Sequence, residues 1–189
     1  VPADVAEVPP ERIDADQVTL RRIEAADAGA VAAAVGASLE HLRPWMPWAT
    51  PEAADLRTQL VRAAEADQRW NEGTGFTYAV LTTAQGTFVG EIALHRLTAE
   101  DSAEIGYWIA SGQVGRGYAT AAGRAMTAAA LALPGVNWVE IHCDAANAPS
   151  AAVARRLGFR LDRIETRQRE APGESGQLLV WIRDQPYED

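Results

Sequence analysis

Lysine is absent from these 189 residues; all 17 basic side chains are arginine, set against 26 acidic ones. The resulting net charge of −9 excludes a general nucleic-acid binder, because neutralising phosphates needs a basic footprint. An acidic chain instead draws cationic partners, a protonated amine among them. Cysteine is nearly absent as well. The single Cys143 excludes an intrachain disulfide and a thiolate zinc cluster, and no metal is expected. Its flanks, Val139 to His142 and Asp144, read as a buried strand in which a thiol is one more small apolar group. His142 points to the opposite face of that strand, so the two do not form a nucleophile–base pair. No apolar run approaches the length of a membrane span and no signal-peptide pattern is visible. A cytoplasmic protein without a membrane partner is expected.

The 48% of hydrophobic residues and the length suit one domain with a substantial core. Residues 1–16, rich in proline and acid and without periodicity, read as a flexible N-terminal arm; residues 17–189 read as the domain. Alternation predicts strands over 17–23, 76–83, 87–95, 103–110, 136–144, 159–166 and 177–183. Four-residue spacing of Val31, Val35 and Leu39 predicts a helix over 25–39. Thr50 followed by Pro51 opens another to Trp70, and an alanine-rich helix ends near Leu133. A short helix over 149–157 completes the set. The class is α/β, a mixed sheet of six to seven strands with about four helices, because crossovers occur only in the second half.

The segment from Gly115 to Thr120 lies between a strand end and a helix start, where amide N–H groups have no partner within the helix. Glycines permit close backbone approach and the helix dipole favours an anion, so a pyrophosphate suits the place. The turn has no Gly-Lys-Ser/Thr, and it is too short for a dinucleotide fingerprint.

Gly106-Tyr107-Trp108-Ile109, then Gly115-Arg116-Gly117-Tyr118-Ala119-Thr120, a strand, Asn147-Ala148-Pro149-Ser150 and Leu157-Gly158-Phe159 together resemble the GNAT acetyltransferase superfamily. The closer resemblance is to its ribosomal-protein N-acetyltransferase (RimJ/RimL-like) branch, which has similar residues at His41–Trp48 and Phe88–Leu94. About residues 17–184 are covered. The resemblance implies acetyl transfer from acetyl-CoA to a primary amine by direct attack, the amine being a protein N-terminus or a small metabolite or antibiotic. A non-catalytic acetyl-CoA sensor of the same fold is the alternative, and a homodimer is allowed.

The resemblance further implies a sheet splayed between its fourth and fifth strands, whose free edges receive the pantetheine arm. Val114, Gly115, Arg116, Gly117, Tyr118, Ala119 and Thr120 would hold the pyrophosphate, joined in cofactor binding by Ile109, Asn147 and Ser150. Val114 stands where the pattern has Arg or Gln, a departure that touches side-chain support but not the backbone cradle. Ser150 matches a serine that protonates the leaving sulfur in this branch; Ala154 occupies the position of the tyrosine used elsewhere. Direct attack also needs a base. Glu140 comes first, sharing a strand face with Trp138 and His142, which could assist it. Asp162 and Glu104 follow. The proline-flanked Trp45 and Trp48, with His41, are expected at the acceptor; Trp70, Trp108, Trp138 and Trp181 are expected to pack.

Overall fold

The computed structural model describes residues 8–97 and 101–187. Eight strands form a single sheet: β1 (Arg12–Asp14), β2 (Val18–Arg22), β3 (Gly75–Thr82), β4 (Phe88–Leu97), β5 (Ser102–Ile109), β6 (Trp138–Asp144), β7 (Arg160–Thr166) and β8 (Gln177–Arg183). Their spatial order is β1-β2-β3-β4-β5-β6-β8-β7. Every neighbouring pair is antiparallel except β5 and β6. The helices are α1 (Ala28–Leu42), α2 (Leu56–Asn71), α3 (Tyr118–Leu131) and α4 (Ala148–Arg156).

The mixed sheet and four helices are as expected; the strand count is eight rather than six to seven. The added strand is β1, three residues long and too short to show a period. It pairs Ile13 with Leu20, and Thr19 donates a 2.8 Å hydrogen bond to Asp14. Of the arm expected over residues 1–16, residues 1–7 lie outside the described residues, and the Pro10 carbonyl accepts from the Tyr78 hydroxyl at 2.8 Å. The helix expected from Pro51 begins instead at Leu56. Pro51–Ala54 forms a 3₁₀ turn, and Asp55 is extended before α2 starts.

The two sheet faces bury different clusters. One, under α3 and α4, gathers Leu20, Tyr78, Ile92, Leu94, Ile105, Met126 and Leu157. The small side chains of α3 let it approach closely: a Cβ on Gly123 would stand 2.7 Å from a Leu157 methyl. The other face packs Val31, Val35, Leu42, Ala66 and Trp108 beneath α1 and α2. Among the described residues, no helix is long and apolar enough to cross a membrane.

The feature that positions the site is the junction of β5 and β6. They pair only through Ser102 with Trp138, Ala103 with Val139 and Glu104 with Glu140. Beyond Glu104 they diverge, while β4 and β8 continue to hold their outer edges. The facing edges of residues 105–109 and 141–144 are therefore free of one another.

Candidate active site

Above the divergence lies the glycine turn. Gly115 and Gly117 have φ of +74° and +83°, a region that L side chains rarely occupy. A Cβ on Gly115 would meet nothing within 4 Å, so the turn is an open cradle rather than a packed one. Gly117 precedes α3 and supplies no side-chain cap, leaving the amides of Tyr118, Ala119 and Thr120 aimed outward. Val114 and Arg116 are exposed beside them, and Ile109 is buried at the end of β5. This set suits a pyrophosphate, and the free strand edges below suit an extended amide-bearing chain.

At the lower end of the opening, the Tyr107 and Ser150 hydroxyls share a 3.0 Å hydrogen bond. Burial pushes the Tyr107 phenol up to about 12, partly opposed by the Ser150 bond, so it stays protonated. Asn147 caps α4 by accepting from the Ser150 amide at 3.3 Å. The Ser150 hydroxyl is thus not the cap. The sequence places no tyrosine at position 154, and the structure brings one to Ser150 from β5 instead. Cys143 nearby is buried, and burial pushes its thiol up.

The carboxylates expected as bases do not stand alike. Glu140 is only 1% exposed, accepting from the Trp138 indole at 3.0 Å and meeting His142 Nε2 at 2.6 Å. Burial would raise its pKa, but the Trp138 and His142 bonds and the nearby Arg163 outweigh that and hold it below the ordinary range. Glu140 does not line the cleft; His142 and Glu104 do. His142 Nδ1 stands 3.5 Å from Glu104 without a hydrogen bond, so only Nε2 is engaged, with Glu140. Asp162 is corrected too. A bulge between Leu161 and Arg163 turns it out on the edge strand, where it meets Arg160 and Arg163 rather than the cleft.

The cleft holds about 510 Å³. Trp45 and Trp48 line it, but His41 is exposed on α1 and does not. Trp108, expected only to pack, also faces it and donates a 2.9 Å hydrogen bond to Glu91. Glu91, His95, Arg62 and Arg69 are further lining residues that the sequence reading did not single out. Burial raises the pKa of the Glu91 carboxyl, against the Trp108 bond and the charge of Arg62, and lowers that of the His95 imidazole. The loop between β7 and β8 closes one side. The Gly173 amide donates to the Pro44 carbonyl at 2.9 Å, and a Cβ there would stand 2.6 Å from that oxygen.

Residues 17–160 match the family model for the acetyltransferase (GNAT) domain. The chain belongs to the GNAT acetyltransferase family. This GNAT protein is an acyltransferase. It is 33% identical over 150 residues to YdaF of Bacillus subtilis (strain 168), a candidate ribosomal N-acetyltransferase, covering 76% of this chain and 78% of that one. Among solved structures, Mycobacterium smegmatis RimJ in complex with CoA-disulfide superposes with a TM-score of 0.85 at 25% identity, covering 94% of this chain and 90% of RimJ. RimL, a ribosomal L7/L12 α-N-protein acetyltransferase in complex with coenzyme A, gives 0.84 at 19% identity, covering 92% and 98%, and shares the fold.

Proposed function

We propose that this GNAT enzyme acetylates a primary amine, either a free protein N-terminus or a small amine, by direct attack. The observation that carries the reading is the opened sheet: free strand edges run from the glycine turn down to the Tyr107–Ser150 pair at the cleft. The acyl donor is acetyl-coenzyme A, which supplies an activated thioester. Gly115, Gly117 and the first amides of α3 hold its pyrophosphate, and the edges of β5 and β6 hold its arm. The RimJ and RimL structures, each with a coenzyme A form bound, support that assignment.

Tyr107 is the proposed acid. Its phenol remains protonated across the working range and can donate toward a departing sulfur, with the Ser150 hydroxyl orienting it. Tyr107→Phe should lower kcat by about 10²-fold while moving the acetyl-CoA KM little, since the lost bond matters chiefly in the transition state. Ser150→Ala leaves the Asn147 cap bond in place, because that bond uses the backbone amide. Its kcat should fall by a smaller factor. If Ser150→Ala is the more damaging change, the acid is Ser150.

His142 is the proposed base, because it reaches the cleft while Glu140 does not. Glu140 is a positioning residue, fixing the ring through the 2.6 Å contact, and Glu104 stands at the other ring nitrogen. Stopped pH–rate measurements separate them. His142→Ala should lower kcat/KM by about 10²-fold and flatten the acidic limb; Glu140→Gln should lower it less and keep the limb. Flattening by Glu104→Gln with an unchanged His142→Ala profile moves the base to Glu104.

A further inference from the structure

The wall of the cleft formed by α2 carries two arginines that, among the described residues, no carboxylate grips directly. Arg62 and Arg69 are seven residues apart, just under two helical turns, and share one helix face about 10 Å apart along the axis. Both line the cleft and are partly buried. Arg21, Arg163 and Arg167 each lie within ion-pair distance of a carboxylate. Among the described residues, neither Arg62 nor Arg69 has such a partner.

Each is nevertheless held in place. The Arg62 guanidinium sits 4.5 Å over the Trp48 ring, an arrangement that leaves its N–H edge free. The stem of Arg69 passes Gly75 beside His95; a Cβ on Gly75 would stand 3.6 Å from the Arg69 Cδ and 3.2 Å from His95 Nδ1. Glu91 lines the same wall and interacts with Arg62 through space, but its hydrogen bond comes from the Trp108 indole rather than from an arginine. His95 is disfavoured as a cation by burial. Glu104 on β5 is the cross-strand neighbour of His95 and stands 3.5 Å from His142 Nδ1.

We propose that the acceptor is a small amine that also carries an anionic group, a carboxylate or phosphate, and that Arg62 and Arg69 receive this group. Two guanidinium groups partly withdrawn from water gain a directly bonded counter-charge when an anion arrives, and their planar forks suit either oxyanion. The anionic end then lies on α2 and the amine points across the cleft to His142 on β6. Trp45, Met46 and Trp48 contact the body between. The overall charge of −9 is no obstacle, since the long-range field acts on the ammonium while the local pair sets orientation. This inference rests on the acetyltransferase reading.

Two measurements keep the proposal and that reading apart. In the first, thiol release from acetyl-CoA is followed with ω-amino acids from glycine to 6-aminohexanoate against n-alkylamines of equal length. O-phosphoethanolamine against ethanolamine forms the phosphate arm. At least one anionic acceptor should exceed its neutral counterpart by about tenfold or more in kcat/KM, the better arm naming the anion. Arg69→Gln and Arg62→Gln should each lower kcat/KM for the anionic acceptor by a larger factor than for the alkylamine, removing most of that advantage.

In the second, the corresponding N-acetyl acids, N-acetyl amides and N-acetyl-O-phosphoethanolamine are titrated into the protein by tryptophan fluorescence, with no turnover required. An N-acetyl anion should bind about tenfold more tightly than its neutral counterpart, and Arg69→Gln should equalise them. Equal binding of neutral and anionic compounds, or variants that weaken both alike, overturns the proposal. Anion-selective, Arg69-dependent binding without thiol release from any amine upholds the subsite and overturns the catalytic reading.

Discussion

Replacing Gly117 by tryptophan should raise the acetyl-CoA KM by about 10²-fold or more, the loss expected when several charge-assisted amide bonds to a pyrophosphate are blocked. Gly117 sits at φ +83° immediately before α3. Any L side chain there carries a backbone penalty of about 1–2 kcal/mol, so Gly117→Ala is the matched control. It bears the same strain without the bulk. Steady-state kinetics should show a modest KM increase for alanine and a large one for tryptophan, with far-ultraviolet circular dichroism unchanged in both. A normal KM in Gly117→Trp would remove the pyrophosphate from this turn.

Asp144→Asn should cost about 3 kcal/mol of folding stability, because several donors lose a charged acceptor in a buried place. Asp144 ends β6 and is 4% exposed. It accepts from the amides of Ala146, Ser175 and Gly176 and from the Ser175 hydroxyl, at 2.7–3.0 Å. Burial alone would raise its pKa; the Ser175, Ala146 and Gly176 bonds instead bring it down to about 2.

A carboxyl depressed on folding stabilises the native state above its unfolded pKa and loses that contribution as pH falls through the folded value. The contribution here is about 2 kcal/mol, fully present above about pH 5 and fading between about pH 4 and pH 2. Urea denaturation across that range should show the gap between wild type and Asp144→Asn narrowing below pH 4. A gap that stays constant down to pH 2 would show that the β7–β8 loop is anchored by other contacts.

Much of this fold is written locally. The alternation Ala103, Ile105, Tyr107, Ile109 marks β5, and the same period puts Trp138, Glu140 and His142 on one face of β6, as their hydrogen bonds show. What local pattern cannot carry is docking. Tyr107 and Ser150 are 43 residues apart and meet only because α4 packs against β6. Glu91 reads as an ordinary strand position until the Trp108 indole from the next strand meets it. Glu140 reads as one strand carboxylate among several, and both its burial and the direction of its pKa depend on Trp138, His142 and Arg163. Asp162 is a candidate only through the family resemblance, and the bulge at that position turns it away from the cleft. Arg62 and Arg69 showed a helical interval, yet nothing along the chain distinguishes two cleft arginines from two solvated ones.

The brief pairing of β5 and β6 also sets a pattern of solvent exchange. Amides within 105–109 or 141–144 that face the opening have no strand opposite them, whereas their neighbours bonded to β4 and β8 are locked in a continuous ladder. Alternate amides along each strand should therefore exchange with deuterium at very different rates. An extended donor filling the gap would bring the fast set toward the slow one, tying the two halves of the sheet into a single cooperative unit and raising the melting temperature with donor concentration. A bound substrate would then serve as a structural member of the enzyme for as long as it stays.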